Sequence, residues 1–297
     1  MAGDCVSESA GGLLPAEDFA ALVSLERLGP TLFASRYSLT DYQGGHLFGG
    51  QLIAQALAAA DLTLDGKALH SAHSYYLRAG DVSRPVEFSV DAVRDGRSFA
   101  TRQVSAMQDG KLLLRTTCSA STGEAGPLDH QSAMPGDVGP PEAYPDMAEV
   151  VERFRNTEIA EAIDRMVPMP IVELRLVDPE HHFRPGAGGD LQVWFRIPSL
   201  ANMSSPTMQA AMLGFLSDFY IAYAPWRYQD GPYNHAGPKV SSLDHSVWLH
   251  RPVTCGDWLF YDMASPSGNG AVGFASGRIY DQSGALVASA AQEVLFR

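Results

Sequence analysis

The sequence predicts an α+β fold of two tandem units, in each of which an antiparallel sheet wraps one long apolar helix. The first observation behind this prediction is a repeated order of elements. A long helical stretch followed by four β-like runs occurs in residues 44–120 and again in residues 206–296. The second is a set of matching short strings: His73-Ser74 answers His245-Ser246 after 172 residues, and Gly110 answers Gly284 after 174 residues. Such spacing is what a tandem duplication leaves.

The first unit is predicted to be one long helix followed by an antiparallel meander. A short amphipathic helix over residues 15–28 and a strand over residues 32–38 precede it. Glycines then open the long helical stretch of residues 44–61, in which apolar residues recur at helical spacing. The β-like runs are residues 70–78, 86–94, 99–108 and 112–120, and the strings DGRS and QDGK between the later runs are typical of hairpin turns.

The second unit is organised around residues 206–223, PTMQAAMLGFLSDFYIAY, which predict a helix apolar nearly all round and therefore buried. Asp218 lies in the middle of this stretch. An ionised carboxylate left unpaired there would cost at least several kcal/mol, so it needs partners or a shifted pKa. A structural and a catalytic role for Asp218 are equally compatible with this pattern. The β-like runs that follow are residues 239–250, 258–263, 271–280 and 285–296.

Changes of composition along the chain predict its division into segments. The N-terminus is rich in Gly, Ser and Ala, which is typical of disorder, and a stretch rich in Pro, Gly and acids follows the first meander. Surface helices are predicted at residues 147–166, and strands at residues 171–177 and 190–197. The predicted segments are a disordered N-terminus (1–14), the first unit (15–121), a connector with surface helices (122–169) and the second unit (170–297).

Composition and charge exclude several classes of function. The 297-residue chain has a formal net charge of -13, which argues against nucleic-acid binding. Cys5, Cys118 and Cys255 are widely separated and odd in number, so they predict neither a disulfide framework nor a metal cluster and favour a reducing compartment. The N-terminal residues lack the pattern of a signal peptide, and no apolar run predicts a membrane span. We therefore expect a cytoplasmic protein without membrane insertion.

Six strings occur in order along the chain: HLFGGQLIAQAL, HSYYLRAGD, RDGRSF, SSLDHSVWLHRP, DWLFYDM and GALVASAAQE. Together they resemble the acyl-CoA thioesterase II family (TesB-like), whose fold is a double hotdog, and the resemblance runs from about residue 17 to the C-terminus. Each string alone is weak evidence, whereas six in register are specific. The resemblance implies hydrolysis of an acyl-CoA thioester to a free fatty acid and coenzyme A. It implies no metal and no cofactor, because coenzyme A is part of the substrate.

The resemblance also implies three catalytic residues in the second unit. They are Asp218, preceded by Ser217; Ser242, two residues before the Asp-His-Ser of the LDHS string; and Gln292, in the Gln-Glu pair of the last strand. Their chemistry is suitable, because thioester hydrolysis needs an aimed water, a proton acceptor and donors for an oxyanion. Strand alternation places Gln292 on an apolar face. It gives Ser242 no such support, and the pattern alone describes an ordinary strand serine.

Gly49 and Gly50 begin the long helix of the first unit, where backbone N–H groups and the positive end of the helix dipole can polarise a thioester oxygen. Tight packing of the helix under the sheet explains these glycines equally well. His46 and His73 are candidates for the same cleft, with a hydrogen-bonded core histidine as the alternative. This helix carries no acid before Asp61, so we expect no counterpart of Asp218 and one active site per chain.

The sequence disfavours two other catalytic functions and leaves a binding function open. Ser242 as a covalent nucleophile is disfavoured because the chain lacks a GxSxG elbow. A hotdog enoyl-CoA hydratase or dehydratase is disfavoured because its Asp-x-Asn-x-x-His signature is missing. A non-catalytic acyl-CoA-binding or scaffold protein stays open, because sequence does not measure turnover.

We also expect a homo-oligomer, a dimer or a tetramer. Candidate partners for the phosphates of coenzyme A are Arg78, Arg94, Arg97, Lys239 and Arg251.

Overall fold

The computed structural model describes residues 14–16, 18–39, 45–157, 160, 163, 171–182, 184, 186–201, 203–229 and 239–297. The predicted disordered N-terminus falls almost entirely outside the described residues, as do most of residues 158–170 in the predicted surface helices and residues 230–238.

The first unit contains one long helix and one half of a large sheet. Its helices are α1 (Phe19–Leu22) and α2 (Gly49–Asp61). Its strands are β1 (Leu14–Pro15), β2 (Leu25–Arg27), β3 (Leu32–Ser35), β4 (Tyr37–Ser38), β5 (Ala68–Tyr76), β6 (Glu87–Asp95), β7 (Phe99–Gln108) and β8 (Lys111–Ser121). The four predicted β-like runs thus correspond to β5 to β8, with ends shifted by no more than two residues.

The second unit repeats this plan. The connector before it carries α3 (Met147–Phe154), and its own helices are α4 (Pro179–His182) and the long α5 (Pro206–Ser217). Its strands are β9 (Glu173–Leu176), β10 (Leu191–Arg196), β11 (Val240–Ser242), β12 (Asp244–Leu249), β13 (Leu259–Asn269), β14 (Val272–Asp281) and β15 (Leu286–Phe296).

The two half-sheets join into one antiparallel sheet. The strand order is β2-β3-β6-β7-β8-β5-β12-β15-β14-β13-β10-β9, with β11 also paired to β15. The central pair, β5 with β12, aligns Ser74 with His245 and Ala72 with Val247. Each unit therefore covers the sheet edge that the other would expose. The order on one side of this pair repeats on the other, as expected for two halves related by an approximate two-fold axis.

The long helices α2 and α5 lie side by side beneath the sheet. Gly214 of α5 permits this close contact, because a Cβ there would lie 2.6 Å from Leu57 Cδ1. Phe215 packs edge-to-face against Phe19 and Phe48, with ring centroids 5.3 and 5.1 Å apart. Eleven of the thirteen residues of α2 are buried, which explains why both helices are apolar nearly all round.

The Pro- and Gly-rich connector packs on the outer face of the second half-sheet. Trp194 donates its indole N–H to the carbonyl of Gly139 at 3.1 Å, and the Tyr280 hydroxyl donates to the carbonyl of Ala133 at 3.2 Å. These aromatic side chains form a small apolar cluster with Phe260. The connector thus covers apolar surface that would otherwise be exposed.

Two predicted helices are shorter than the sequence indicated. Residues 15–28 contain only the four-residue helix α1, because residues 25–27 pair with β3 as a strand. Helix α5 ends at Ser217, so Asp218 is its C-cap and does not lie in its middle. The chain turns at Tyr220, whose φ of 66° is left-handed, and continues as a 3₁₀ turn over residues 221–223, in which Ile221 is buried. The apolar pattern runs on through that turn because the turn is partly buried as well.

Candidate active site

A cleft of about 380 Å³ lies where the start of α2 meets the end of α5. The first-unit residues that line it come from residues 46–49 and from the chain around Tyr76 and Arg78. The second unit contributes Asp218, with Phe219 and Tyr220 beside it, and the strand segment around Ser242. Both units are therefore needed to form the cleft.

The two glycines at the start of α2 give the cleft its shape. A Cβ on Gly49 would lie 2.7 Å from Asp218 Oδ2 and 2.7 Å from the Tyr76 hydroxyl. A Cβ on Gly50 would lie 2.6 Å from the carbonyl oxygen of Phe215. Side chains at these positions would separate the carboxylate from the helix start. Packing and the approach of Asp218 to the helix therefore both require glycine here.

Asp218 is held in a setting that opposes its ionisation. Only 5% of its surface is exposed, and burial raises the pKa of its carboxyl to about 8. Hydrogen bonding from the Gly50 backbone N–H and from the Gln292 amide lowers this pKa, but burial outweighs both. Within the described ranges, Oδ1 of Asp218 has no hydrogen-bond partner, and the nearby His245 Nδ1 is 3.7 Å away. This oxygen is a buried acceptor whose hydrogen-bonding capacity is unused.

A buried chain of hydrogen bonds connects Ser242 to the end of α5. Gln292 Nε2 donates to Ser242 Oγ at 2.8 Å, and Gln292 Oε1 lies 2.6 Å from His245 Nδ1. The other ring nitrogen, Nε2, lies 2.8 Å from Ser217 Oγ. Gln292 and His245 are each 1% exposed and Ser217 is fully buried. The chain thus runs from Ser242 through Gln292 and His245 to Ser217, next to Asp218.

The protonation state of His245 decides which group donates and which accepts at each link of this series of hydrogen bonds. Burial lowers the pKa of its ring to about 4, so the ring is neutral at pH 7 and has one N–H. With Gln292 Oε1 facing Nδ1, that N–H is on Nδ1, and Nε2 accepts the hydroxyl hydrogen of Ser217. The Gln292 amide then donates to Ser242 Oγ. The hydroxyl hydrogen of Ser242 remains available for a donation into the cleft.

An irregularity in the strand brings Ser242 to this position. Ser242 pairs with Val294 in β11, whereas Ser246 pairs with Ala291 in β12. The register therefore shifts by one residue at Leu243, which separates the two strands. Such a bulge moves Ser242 from the outer face, which Ser246 shares, to the inner face of Gln292. Simple alternation failed for Ser242 because it assumes an unbroken strand.

The two histidines predicted for the cleft, His46 and His73, lie in different places. His46 lines the cleft as an exposed residue. His73 lies outside it: the side chain is exposed on the outer face, bonded to Ser246 Oγ at 3.0 Å and packed against Trp248. The expectation that His73 lines the cleft is therefore corrected, because neighbouring strand positions alternate between faces.

Sequence reasoning missed two groups at the site. His245 was identified only as part of the repeated His-Ser pair, although its inward-facing position opposite Gln292 follows from strand alternation. The hydroxyl of Tyr76 was not considered at all. This hydroxyl is buried beside Gly49 and Asp218 without a hydrogen-bond partner in the described part of the chain, and burial raises its pKa well above the usual range.

Comparison with known proteins identifies the family. The model for the acyl-CoA thioesterase N-terminal domain matches residues 39–123, and the model for the acyl-CoA thioesterase C-terminal domain matches residues 139–296. The chain belongs to the acyl-CoA thioesterase family. The resemblance noted in its motifs is thereby confirmed.

Individual thioesterases are similar over nearly the whole chain. Acyl-coenzyme A thioesterase 8 of Homo sapiens is 30% identical, with 93% of this chain and 88% of that protein covered. Acyl-CoA thioesterase 2 of Haemophilus influenzae is also 30% identical, with 93% and 96% covered. The solved TesB protein of Mycobacterium avium subs paratuberculosis has a TM-score of 0.75 at 28% identity, covering 94% of this chain and 98% of that one. These similarities confirm the predicted double hotdog fold.

Two features of the described ranges bear on other classes of function. No group of three or more His, Cys, Asp or Glu side chains lies close enough there to hold a metal ion. No helix in these ranges has the length and apolar character required to cross a membrane.

Proposed function

We propose that this thioesterase hydrolyses fatty acyl-CoA to a free fatty acid and coenzyme A, using a water molecule activated by Asp218, Ser242 and Gln292. The observation that carries the proposal is that Asp218 and Ser242 line one cleft, opposite the glycine-rich start of α2, and that the buried Gln292 behind them is hydrogen-bonded to both. The buried Oδ1 of Asp218 has no partner among the described residues, and Ser242 can donate its hydroxyl hydrogen. Together they can hold a water molecule in a fixed orientation.

The proposed reaction begins with the ionised form of Asp218. Its carboxylate takes a proton from the water, whose oxygen forms a bond to the thioester carbonyl carbon. The negative charge that develops on the carbonyl oxygen needs donors. The Gly50 N–H is directed at Asp218, so this role falls to other first-turn N–H groups of α2, which have no partner within the helix, and to the Tyr76 hydroxyl.

Collapse of the tetrahedral intermediate breaks the carbon–sulfur bond and releases coenzyme A as a thiolate. The Asp218 carboxyl then returns its proton to the sulfur. Its pKa of about 8 is close to that of a free thiol, about 8.5, so this transfer needs little free energy. A carboxyl with an ordinary pKa would be a much weaker acid for this step. The raised pKa thus suits both halves of the reaction.

The walls of the cleft support an acyl-CoA substrate. Leu47, Phe48 and Leu52 give it an apolar side, while the exposed Arg78 at its rim is a cation for the phosphates of coenzyme A. A local cation of this kind matters in a chain whose net charge of -13 repels anions.

The test is release of free thiol from short-, medium- and long-chain acyl-CoA by wild type, Asp218→Asn and Asp91→Asn. Asp91 is an exposed carboxylate of β6 and is the matched control. We expect turnover by wild type and by Asp91→Asn, and a loss of about 10²-fold or more in Asp218→Asn. Unchanged turnover in Asp218→Asn would reject this residue as the base. No turnover by folded wild type on any chain length would favour the acyl-CoA-binding alternative.

We also propose that the chain forms a homo-oligomer, a dimer or a tetramer, in the cytoplasm. Exposed aromatic side chains on the outer face of the central strands, Tyr75 and Trp248, support an association surface. The buried free thiols of Cys118 and Cys255 support a reducing compartment. Light scattering of the purified chain and fractionation of the source cells test the two statements.

A further inference from the structure

A second cavity of about 750 Å³ lies at the opposite ends of the two long helices. It is formed where α2 ends, at Asp61, and where α5 begins, at Pro206 and Thr207. Residues 67–70 at the start of β5 and residues 249–252 at the end of β12 complete its walls. Neither unit forms it alone, and the proposed mechanism does not use it.

This cavity is the two-fold counterpart of the candidate active site. Asp61 is twelve residues from the first residue of α2, as Asp218 is from the first residue of α5. The Asp61 carboxylate accepts a hydrogen bond from Thr207, the second residue of α5, and Asp218 accepts one from Gly50, the second residue of α2. Asp61 is therefore the counterpart of Asp218, and the expectation that none exists is corrected.

The strand segments correspond as closely as the helices do. Residues 240–243 line the candidate active site, and residues 67–70, which are 173 positions earlier, line the second cavity. Residues 76–79 line the candidate active site, and residues 249–252, which are 173 positions later, line the second cavity. The same architecture thus forms both cavities.

The second cavity keeps a carboxylate but lacks the other two groups proposed for hydrolysis. Leu69 stands at the position that corresponds to Ser242. The pair formed by Ala72 and Cys118 on β5 and β8 corresponds to the pair formed by His245 and Gln292. The predicted match of His73 with His245 is thereby corrected by one position, because Ala72 and His245 are buried whereas His73 is exposed on the other face. The second cavity thus lacks the serine and the glutamine that are proposed to orient a water molecule in the first.

Part of the lining of the second cavity is suited to an anion that carries an apolar chain. Leu69 and Leu213 are buried apolar residues in its wall, and Leu64 is half-buried beside them. Arg251 corresponds to Arg78 of the candidate active site, and Lys67 adds a second cation that has no equivalent there, since Val240 takes its place.

The acidic partner of Arg251 is exposed to solvent. Arg251 is anchored by a bond to the carbonyl of Leu286 and by one to Asp129 at 3.1 Å. Asp129 is 94% exposed, so this ion pair is weak and leaves much of the positive charge of Arg251 uncompensated.

We propose that the second cavity is a non-catalytic binding site for an acyl-chain anion, either a free fatty acid or an intact acyl-CoA. The inference rests on the proposed function for the class of ligand. The anionic group binds at Lys67 and Arg251, and the chain lies against the leucines between α2 and α5. The chain therefore binds two acyl ligands, one at each cavity, and hydrolyses only one.

Binding stoichiometry tests this proposal. The probes are decyl-CoA thioether, which has no carbonyl to attack, and decanoate, each titrated by calorimetry into the full chain. The variants are Lys67→Glu, which reverses a charge in the second cavity, Leu64→Trp, which fills part of it, and Lys111→Glu, an exposed control on β8. We expect wild type and Lys111→Glu to bind two thioether molecules, or one thioether and one decanoate when both probes are present.

In Lys67→Glu and Leu64→Trp, we expect the second binding step to weaken by about tenfold or more, with the rate of thiol release from acyl-CoA within twofold of wild type. The probe that fills the second site identifies its natural ligand. A single ligand of either kind per wild-type chain would overturn the inference, as would a second step that both variants leave unchanged.

The thiol-release assay separates this inference from the proposed function. Thiol release with a single bound ligand would refute the second site alone. Two bound ligands without thiol release would refute the proposed hydrolysis alone.

Discussion

Replacing Asp218 with Asn should change how stability depends on pH, independently of any effect on catalysis. The carboxyl has a pKa of about 8 in the folded chain and 3.8 as a free side chain. Between these values the folded chain holds a proton that the unfolded chain has released. The free energy of unfolding of wild type therefore falls as pH rises through this window, and it levels off above pH 8. Asn cannot ionise, so the variant lacks this contribution.

The size of the effect follows from the width of the window. Each pH unit corresponds to about 1.4 kcal/mol for one proton. Between about pH 5 and pH 8 wild type should lose on the order of 4 kcal/mol of stability relative to Asp218→Asn. Full burial of the side chain means that solvent does not screen this effect.

Urea unfolding of both proteins at pH 5 to 9 provides the measurement. Other ionisable groups are common to the two proteins and cancel in the difference of their free energies. The control Asp91→Asn should show a difference from wild type that does not vary with pH. If the difference between wild type and Asp218→Asn were also constant, the carboxyl would not hold a proton at neutral pH, and the argument for its acid–base role would be wrong.

Three further outcomes are expected. The kcat/KM for acyl-CoA should rise with pH and level off above about 8, as Asp218 ionises; a flat profile from pH 6 to 10 would contradict this. Gly50→Ala should lower stability by about 1–3 kcal/mol, because its Cβ would lie 2.6 Å from the carbonyl of Phe215. The control Gly126→Ala, with no atom within 4 Å of its Cβ, should unfold thermally like wild type. His245→Phe should lower kcat about tenfold to a hundredfold with little change in KM, because it leaves the side-chain oxygen of Gln292 without its partner. A loss in kcat no larger than the loss in the fraction of folded protein would indicate a structural role only.

The repeated plan of the fold was predictable because it depends on patterns that extend over many residues. Hairpin turns and apolar runs located β5 to β8 to within two residues, and the recurrence of the same order predicted the second unit. The end of α5 was not predictable in this way. The apolar pattern continues after Asp218 because Phe219, Tyr220 and Ile221 are buried at the turn that follows. Tyr220 adopts a left-handed conformation that its side chain does not signal.

The site was predictable only in part, for reasons that differ between its members. Asp218 stood out because a carboxylate in an apolar stretch has few explanations, and Gln292 because it lies on the inner face of a regular strand. Ser242 depended on resemblance. The correspondence between Asp61 and Asp218 could not be predicted from the sequence. Each carboxylate accepts a hydrogen bond from the start of the other long helix, and such contacts between helices leave no periodic signal in the sequence of either helix.

The bulge at Leu243 has a consequence for how this site can vary. The orientation of Ser242 depends on the number of residues between β11 and β12 and not on the identity of the residue inserted there. Substitutions at position 243 should be tolerated wherever their side chains fit. Deletion of that one residue would leave every neighbour chemically intact and yet turn the hydroxyl to the outer surface. Comparisons between relatives that ignore a single-residue gap here would match Ser242 to a position on the wrong side of the sheet.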